Sequence, residues 1–188
     1  VTISAWANLT SSDTNGAEII SLGDYVGLRL QDPAESFGVS AFYRYANSWR
    51  TIRYGANYAG TGWHHFVYVV NDTANSQKLY VDGALASTTS YADSIVYTGA
   101  GANTFIGKHG NGSNTNYDFN GSIDEVKIYN RALTTEEVSK LYSLPGINCD
   151  LGGACAMGYR INWLNQIGAV LESIGNTIKQ LFTIKKQR

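Results

Sequence analysis

The segment Gly62 to Gly83 constrains this chain most. It reads Gly-Trp-His-His-Phe-Val-Tyr-Val-Val-Asn-Asp and, four residues on, Gln-Lys-Leu-Tyr-Val-Asp-Gly. His65 to Val70 is a run of β-branched and aromatic residues, apolar on both faces, which suits a strand buried between two layers. Leu79, Tyr80 and Val81 run straight into Asp82-Gly83, a pair that tolerates the positive φ angles of a two-residue hairpin. These residues predict paired antiparallel strands, one of them in the core.

The rest of the first 143 residues continues in that style. Runs at Val1 to Asn8, Ile19 to Leu22, Tyr25 to Leu30, Phe37 to Tyr45, Thr51 to Tyr54, Ser87 to Tyr91, Asn103 to Lys108 and Ile123 to Tyr129 are divided by Gly, Asp, Pro and Asn. Short strands at such spacing predict an all-β antiparallel β-sandwich. His109 to Asn116, rich in Gly and Asn, reads as loop. Thr134-Thr-Glu-Glu reads as a helix start, with a hydroxyl cap and two acids in the first turn, for a short helix to about Tyr142.

Composition agrees with a turn-rich β protein. Of 188 residues 20 are Gly and 13 Tyr, and only 15% are charged. Net charge is -1: residues 1 to 143 hold nine Lys/Arg against thirteen Asp/Glu, and residues 144 to 188 hold five against two. No clustered basic footprint exists, so nucleic acid is not an expected partner. No apolar run is long enough for a membrane-spanning helix.

Three blocks, GWHHFVYVV with QKLYVDG, then NTFIGK, then FNGSIDEVKIYNRALTTEEVSKLY, together resemble the signature of laminin-G-like domains of the concanavalin A-like jelly-roll superfamily. The resemblance covers roughly Val1 to Tyr142. It implies an extracellular or cell-surface β-sandwich that binds carbohydrate or mediates adhesion, often with a structural calcium ion. It also implies one or two strands upstream of Val1-Thr-Ile-Ser-Ala-Trp, so the jelly roll of residues 1 to 143 is expected to lack its N-terminal strand or to receive one from another chain.

Residues 144 to 160 read as a linker in which Cys149 and Cys155, flanked by Gly152 and Gly153, close a small disulfide loop. From 161 to 188 the period changes. Leu164, Ile167, Leu171, Ile174, Ile178 and Leu181 recur at alternate spacings of three and four, a heptad seam with a broad apolar face. Such an amphipathic helix needs a partner, because isolated helices of this length are marginal in water. The partners in competition are further copies of itself, giving a homo-oligomer, a protein body, or a membrane surface contacted by the helix.

Chemistry is sparsely indicated. Asp124 and Glu125 are adjacent, so on a regular strand they point to opposite faces and cannot flank one glycosidic bond. No Ser, His and acid grouping is visible, and an enzyme is not expected. His64 and His65 alternate faces, so at most one of them is buried. Trp6 and Trp63 are expected to pack between the sheets. Trp49, in a polar stretch with Tyr54 and Tyr58 nearby, is the candidate for stacking on a sugar ring. For calcium, which demands several hard oxygens, the candidates are Asp124, Asp118 and Asn120; the competing reading has Asp124 accepting from backbone amides to hold a bulge. Sequons at Asn8, Asn71, Asn111 and Asn120 are as frequent as chance provides.

The expected function is a non-catalytic carbohydrate-binding or adhesive module that engages a glycan or a surface protein and is multimerised by its C-terminal helix. The competing expectation is a structural subunit of a surface filament, fibre or spike.

Overall fold

The computed structural model describes residues 1–32, 37–55, 57–96, 103–110, 116–143, 148–149 and 155–156. The chain divides into two compact units, Val1–Pro145 and Gly146–Arg188. In the second unit the described residues form one pair of short strands, β11 (Asn148–Cys149) and β12 (Cys155–Ala156), with Cys149 directly opposite Cys155. The predicted helix of residues 161–188 lies outside the described residues.

Among the described residues, ten strands and one helix build the first unit. They are β1 (Thr2–Ser11), β2 (Ala17–Leu22), β3 (Val26–Asp32), β4 (Phe37–Tyr45), β5 (Ser48–Tyr54), β6 (Trp63–Asn71), β7 (Ser76–Val81), β8 (Ala84–Ser90), β9 (Thr104–Ile106), β10 (Asn120–Tyr129) and α1 (Thr135–Ser143). One antiparallel sheet runs β10-β1-β6-β7-β8 and the other β5-β4-β3-β2-β9. The all-β antiparallel sandwich read from the sequence is the observed architecture. β1 is hydrogen-bonded on both sides, to β10 and to β6. A further strand would therefore add at a sheet edge and not beside β1.

Alternation explains the layers. Ile3, Ala5, Ala7 and Leu9 of β1 meet Phe66, Tyr68 and Val70 of β6, Leu28 and Leu30 of β3, and Val39 and Ala41 of β4, all buried between the sheets. The intervening β6 residues face outward and are buried too. Val67 and Val69, with Tyr80 and Tyr129, lie under Leu133, Val138 and Leu141 of α1 and its lead-in. This second layer is why His65–Val70 carries no polar alternation.

The turn chemistry works as the sequence indicates. Asp82 and Gly83 take φ of 50° and 77° and join β7 to β8. Gly83 has a second duty, since a Cβ there would fall 2.8 Å from the Tyr142 ring on α1. The helix starts in a reciprocal cap: the Glu137 amide donates to Thr134 Oγ1 at 3.3 Å and the Thr134 amide to Glu137 Oε2 at 2.8 Å. Arg131 grips the same carboxylate through two hydrogen bonds of 2.8 and 2.7 Å, and this contact chiefly holds the Glu137 carboxyl down to about 2.

Two expectations need correction. Trp63 is 46% exposed, and Trp6 stacks outside the sandwich on Tyr142, centroids 5.6 Å apart. Both belong to the outward set of their strands, because the inward set of β1 is Ile3, Ala5, Ala7 and Leu9. Of the two histidines, His65 is buried beneath this outer stack and His64 is half-buried.

Candidate functional site

The outer face of the β5-β4-β3-β2-β9 sheet sets an exposed indole, Trp49, at the margin of a row of polar and charged side chains. Register builds it row by row. Glu18, Arg29, Ser40 and Arg53 lie across from one another on β2, β3, β4 and β5, and the next row is Gly27, Phe42 and Thr51. Beyond it, Arg44 pairs with Trp49.

Trp49 is 44% exposed yet held. Its ring meets Phe42 edge-on, centroids 5.1 Å apart at 83°, and the Arg44 guanidinium carbon lies 5.4 Å from its centroid. Phe42 in turn lies over Gly27, where a Cβ would fall 2.3 Å from its Cζ. Along β5 the outward residues are Trp49, Thr51 and Arg53, an aromatic face followed by a hydroxyl and a guanidinium at alternate positions. That strip offers stacking and hydrogen bonding side by side.

Behind it sits a buried polar cluster. Glu18, fully buried, accepts from Arg29 Nη2 at 3.2 Å and from His109 Nδ1 at 2.9 Å on one oxygen, Oε2, while Oε1 has no hydrogen-bond partner. His109 Nε2 lies 3.5 Å from Asp24 Oδ1. Arg29 also bridges to Asp32 and sits 3.9 Å over the Tyr117 ring and 5.1 Å from the Phe42 centroid. The hydrogen bond to Glu18 is the main reason that the His109 pKa is raised. For Asp24 burial comes first and also raises its pKa.

The sugar-stacking candidates are not brought together. Trp49 and Tyr54 are five residues apart on one strand and so point to opposite faces. Tyr58 is buried, edge-on to Phe66 in the core at 5.2 Å. Only Trp49 belongs to the open face described above.

The calcium candidates are likewise divided. Asn120 donates to Ser11 Oγ at 2.8 Å, the Asp118 amide donates to Asp13 Oδ2, and Asp124 lies opposite Trp6, four residues or about 13 Å further along β10. Asp124 Oδ1 instead accepts from the Glu125 amide at 2.7 Å. Glu125 has φ of 48°, and the register with β1 shifts there, so Asp124 supports a β-bulge. Among the described residues no three His, Cys, Asp or Glu side chains gather as a metal site.

One grouping escaped the sequence reading. Thr61 Oγ1 lies 3.1 Å from His64 Nε2, and His64 Nδ1 lies 2.8 Å from Asp82 Oδ2. The order is hydroxyl, imidazole, carboxylate, but Thr61 Oγ1 donates its proton to the Tyr58 carbonyl at 2.7 Å. That hydroxyl is committed to backbone, and Asp82 also accepts from the His65 amide at 2.9 Å. The trio braces the β7–β8 turn against the 58–64 segment. Thr61 before β6, His64 on it and Asp82 in the β7–β8 turn form no motif by which the sequence could reveal the trio.

The fold and its open face define a jelly-roll module. By sequence the chain belongs to the concanavalin A-like lectin/glucanases superfamily, matching the Laminin_G_3 family over residues 1–139. A comparison with curated protein sequences found no match. Among solved structures, the carbohydrate-binding module (CBM40) of the Ruminococcus gnavus IT-sialidase, bound to α2,3-sialyllactose, is similar at TM-score 0.62 and 19% identity, over 75% of this chain and 81% of that one. Domain 4 of AbnA, an extracellular arabinanase of Geobacillus stearothermophilus in complex with arabinotriose, is similar at TM-score 0.55 and 21% identity, over 75% and 65%. A Bacteroides ovatus protein inferred to bind carbohydrate matches at TM-score 0.59 and 16% identity, over 74% of this chain but only 39% of its own. At these identities the likeness is one of fold. No described helix is long and apolar enough to cross a membrane.

Proposed function

We propose that this chain is a non-catalytic carbohydrate-binding module that takes its ligand on the outer face of the β5-β4-β3-β2-β9 sheet. The observation that carries the reading is Trp49, an indole 44% exposed and braced by Phe42 and Arg44. A rigid, half-open aromatic beside Thr51 and Arg53 suits a pyranose ring, whose apolar face stacks while its hydroxyls take hydrogen bonds. The sugars named with the similar modules of R. gnavus and G. stearothermophilus support the ligand class.

The site is shallow, so single-site affinity is weak. In the full chain the heptad segment, Leu164 to Leu181, gathers copies and raises the effective concentration of sites, in an extracellular or surface setting. The second reading, a subunit of a surface filament, rests on that same segment.

A glycan array tests the site. The full chain is expected to bind a subset of oligosaccharides, and Trp49→Ala to lose about fivefold or more in affinity with its melting temperature kept, since one exposed stacking contact is worth about 1 kcal/mol or more. Equal binding by Trp49→Ala would move the site elsewhere. A blank array with concentration-dependent assembly would favour the filament.

A further inference from the structure

We infer that His109 is a proton-operated clasp: doubly protonated, it pins the 107–110 segment across the β2–β3 turn and steadies the platform under Trp49, and on losing its proton it loosens that face. The inference rests on the reading of this face as the glycan site and adds its regulation.

The geometry comes first. His109 stands between two carboxylates on neighbouring pieces of chain, with Nδ1 2.9 Å from Glu18 on β2 and Nε2 3.5 Å from Asp24 in the β2–β3 turn. An imidazolium donates to Glu18 and turns its second N–H, with its charge, toward Asp24. A neutral imidazole has one N–H, so one nitrogen then turns a lone pair toward a carboxylate. Beside it, Gly110 packs so closely that a Cβ would fall 2.3 Å from the Asp24 amide nitrogen and 2.4 Å from Ser21 Oγ. The seam is closed by the Gly107 amide to the Ile19 carbonyl, the Phe119 amide to the Gly107 carbonyl and the Glu18 amide to the Tyr117 carbonyl, at 3.0, 2.9 and 2.9 Å.

Charge carries the effect to the platform. The groups facing His109 are Glu18, Asp24, Arg29 and the Tyr117 ring, 4.7 Å away. Without the imidazolium, Arg29 is the cation left against Glu18 and Asp32, and Asp24 keeps only the fields of Arg29 and Arg44. Arg29 is the guanidinium that lies over Tyr117 and Phe42, and Phe42 is the ring against Trp49. A stronger pull on Arg29 toward its carboxylates therefore removes support from the aromatic pair. The raised pKa of His109 places the change above its ordinary value.

Hydrogen exchange at the amides of Glu18, Gly107 and Phe119, corrected for intrinsic rates, is measured on the full chain from about pH 5.5 to about 9, bracketing an ordinary histidine. The same samples are read on the glycan array. Protection and binding are expected to fall together by about tenfold across the titration of His109, the weight of one charge-assisted hydrogen bond lost. His109→Gln removes the step. Asp24→Asn, which suits the left-handed backbone at φ 59° and removes one of the two carboxylates, moves the step to lower pH and guards against misfolding of the first variant. Protection that does not change with pH overturns the clasp, and protection that falls while binding stays flat overturns its link to the site. An array blank at every pH refutes the glycan reading instead, while the exchange data still decide the clasp.

Discussion

The Phe42 ring occupies the space that a side chain on Gly27 would fill, its Cζ lying 2.3 Å from where that Cβ would stand. Residue 27 is cross-strand from Phe42, so the absence of a side chain on β3 lets the ring lie flat and brace Trp49. Gly27→Ala is expected to displace Phe42, destabilise the fold by about 1–3 kcal/mol and weaken glycan binding by more than stability alone explains. Denaturant unfolding and array binding of the variant measure both. Binding unchanged at full stability would separate Phe42 from the site.

Two histidines pull stability in opposite directions with pH. His65 is buried against Trp6 and Tyr142, with Nε2 at 2.9 Å from Ser4 Oγ and Nδ1 without a partner, and burial lowers its pKa from 6.5 to about 4. Its contribution is full above pH 6.5 and is lost as pH falls toward 4, an effect of about 3 kcal/mol at the acid end. His109 has a raised pKa, so its contribution is full below 6.5 and is lost as pH rises through its folded value. Melting temperature should therefore peak near pH 6.5. His109→Gln should flatten the alkaline limb and leave the acid limb in place.

Asp124 offers a test of calcium against architecture. If it serves the bulge, Asp124→Asn keeps an oxygen for the Glu125 amide and should shift melting little. Calcium or a chelator should then leave the melting temperature of wild type and variant alike. Stabilisation by calcium that disappears in Asp124→Asn would make Asp124 a ligand.

The heptad segment is testable by truncation. A chain ended after Pro145, the boundary of the first compact unit, should retain the sandwich and sediment as a smaller species than the full chain. An unchanged assembly state would remove the gathering role from Leu164 to Leu181.

The sandwich was legible because its signals are local. β-branched runs, the Asp82-Gly83 turn and the Thr134 cap each act within a few residues, and each sits where its chemistry placed it. Trp6 and Trp63 misled, because a large aromatic is expected in a core. Here α1 makes a second apolar layer outside the sheet, and alternation along β1 and β6 assigns both rings outward. The Glu18–His109–Asp24 cluster was invisible for another reason: it joins residues 91 positions apart, and nothing local marks a lone Glu in a strand as buried. The exposure of Trp49 was legible, since its polar neighbourhood signals it. Tyr54 and Tyr58 were wrongly grouped with it, because proximity in sequence says nothing of face.

The bulge at Glu125 bears on how copies of this domain keep company. β10 forms one border of its sheet, and there the positive φ of Glu125, with the Lys127–Glu125 ion pair at 2.9 Å, interrupts the row of outward amides and carbonyls. Such a border is a poor template for a neighbour's strand. Crowded molecules can touch along this flank without zipping into amyloid-like ribbons.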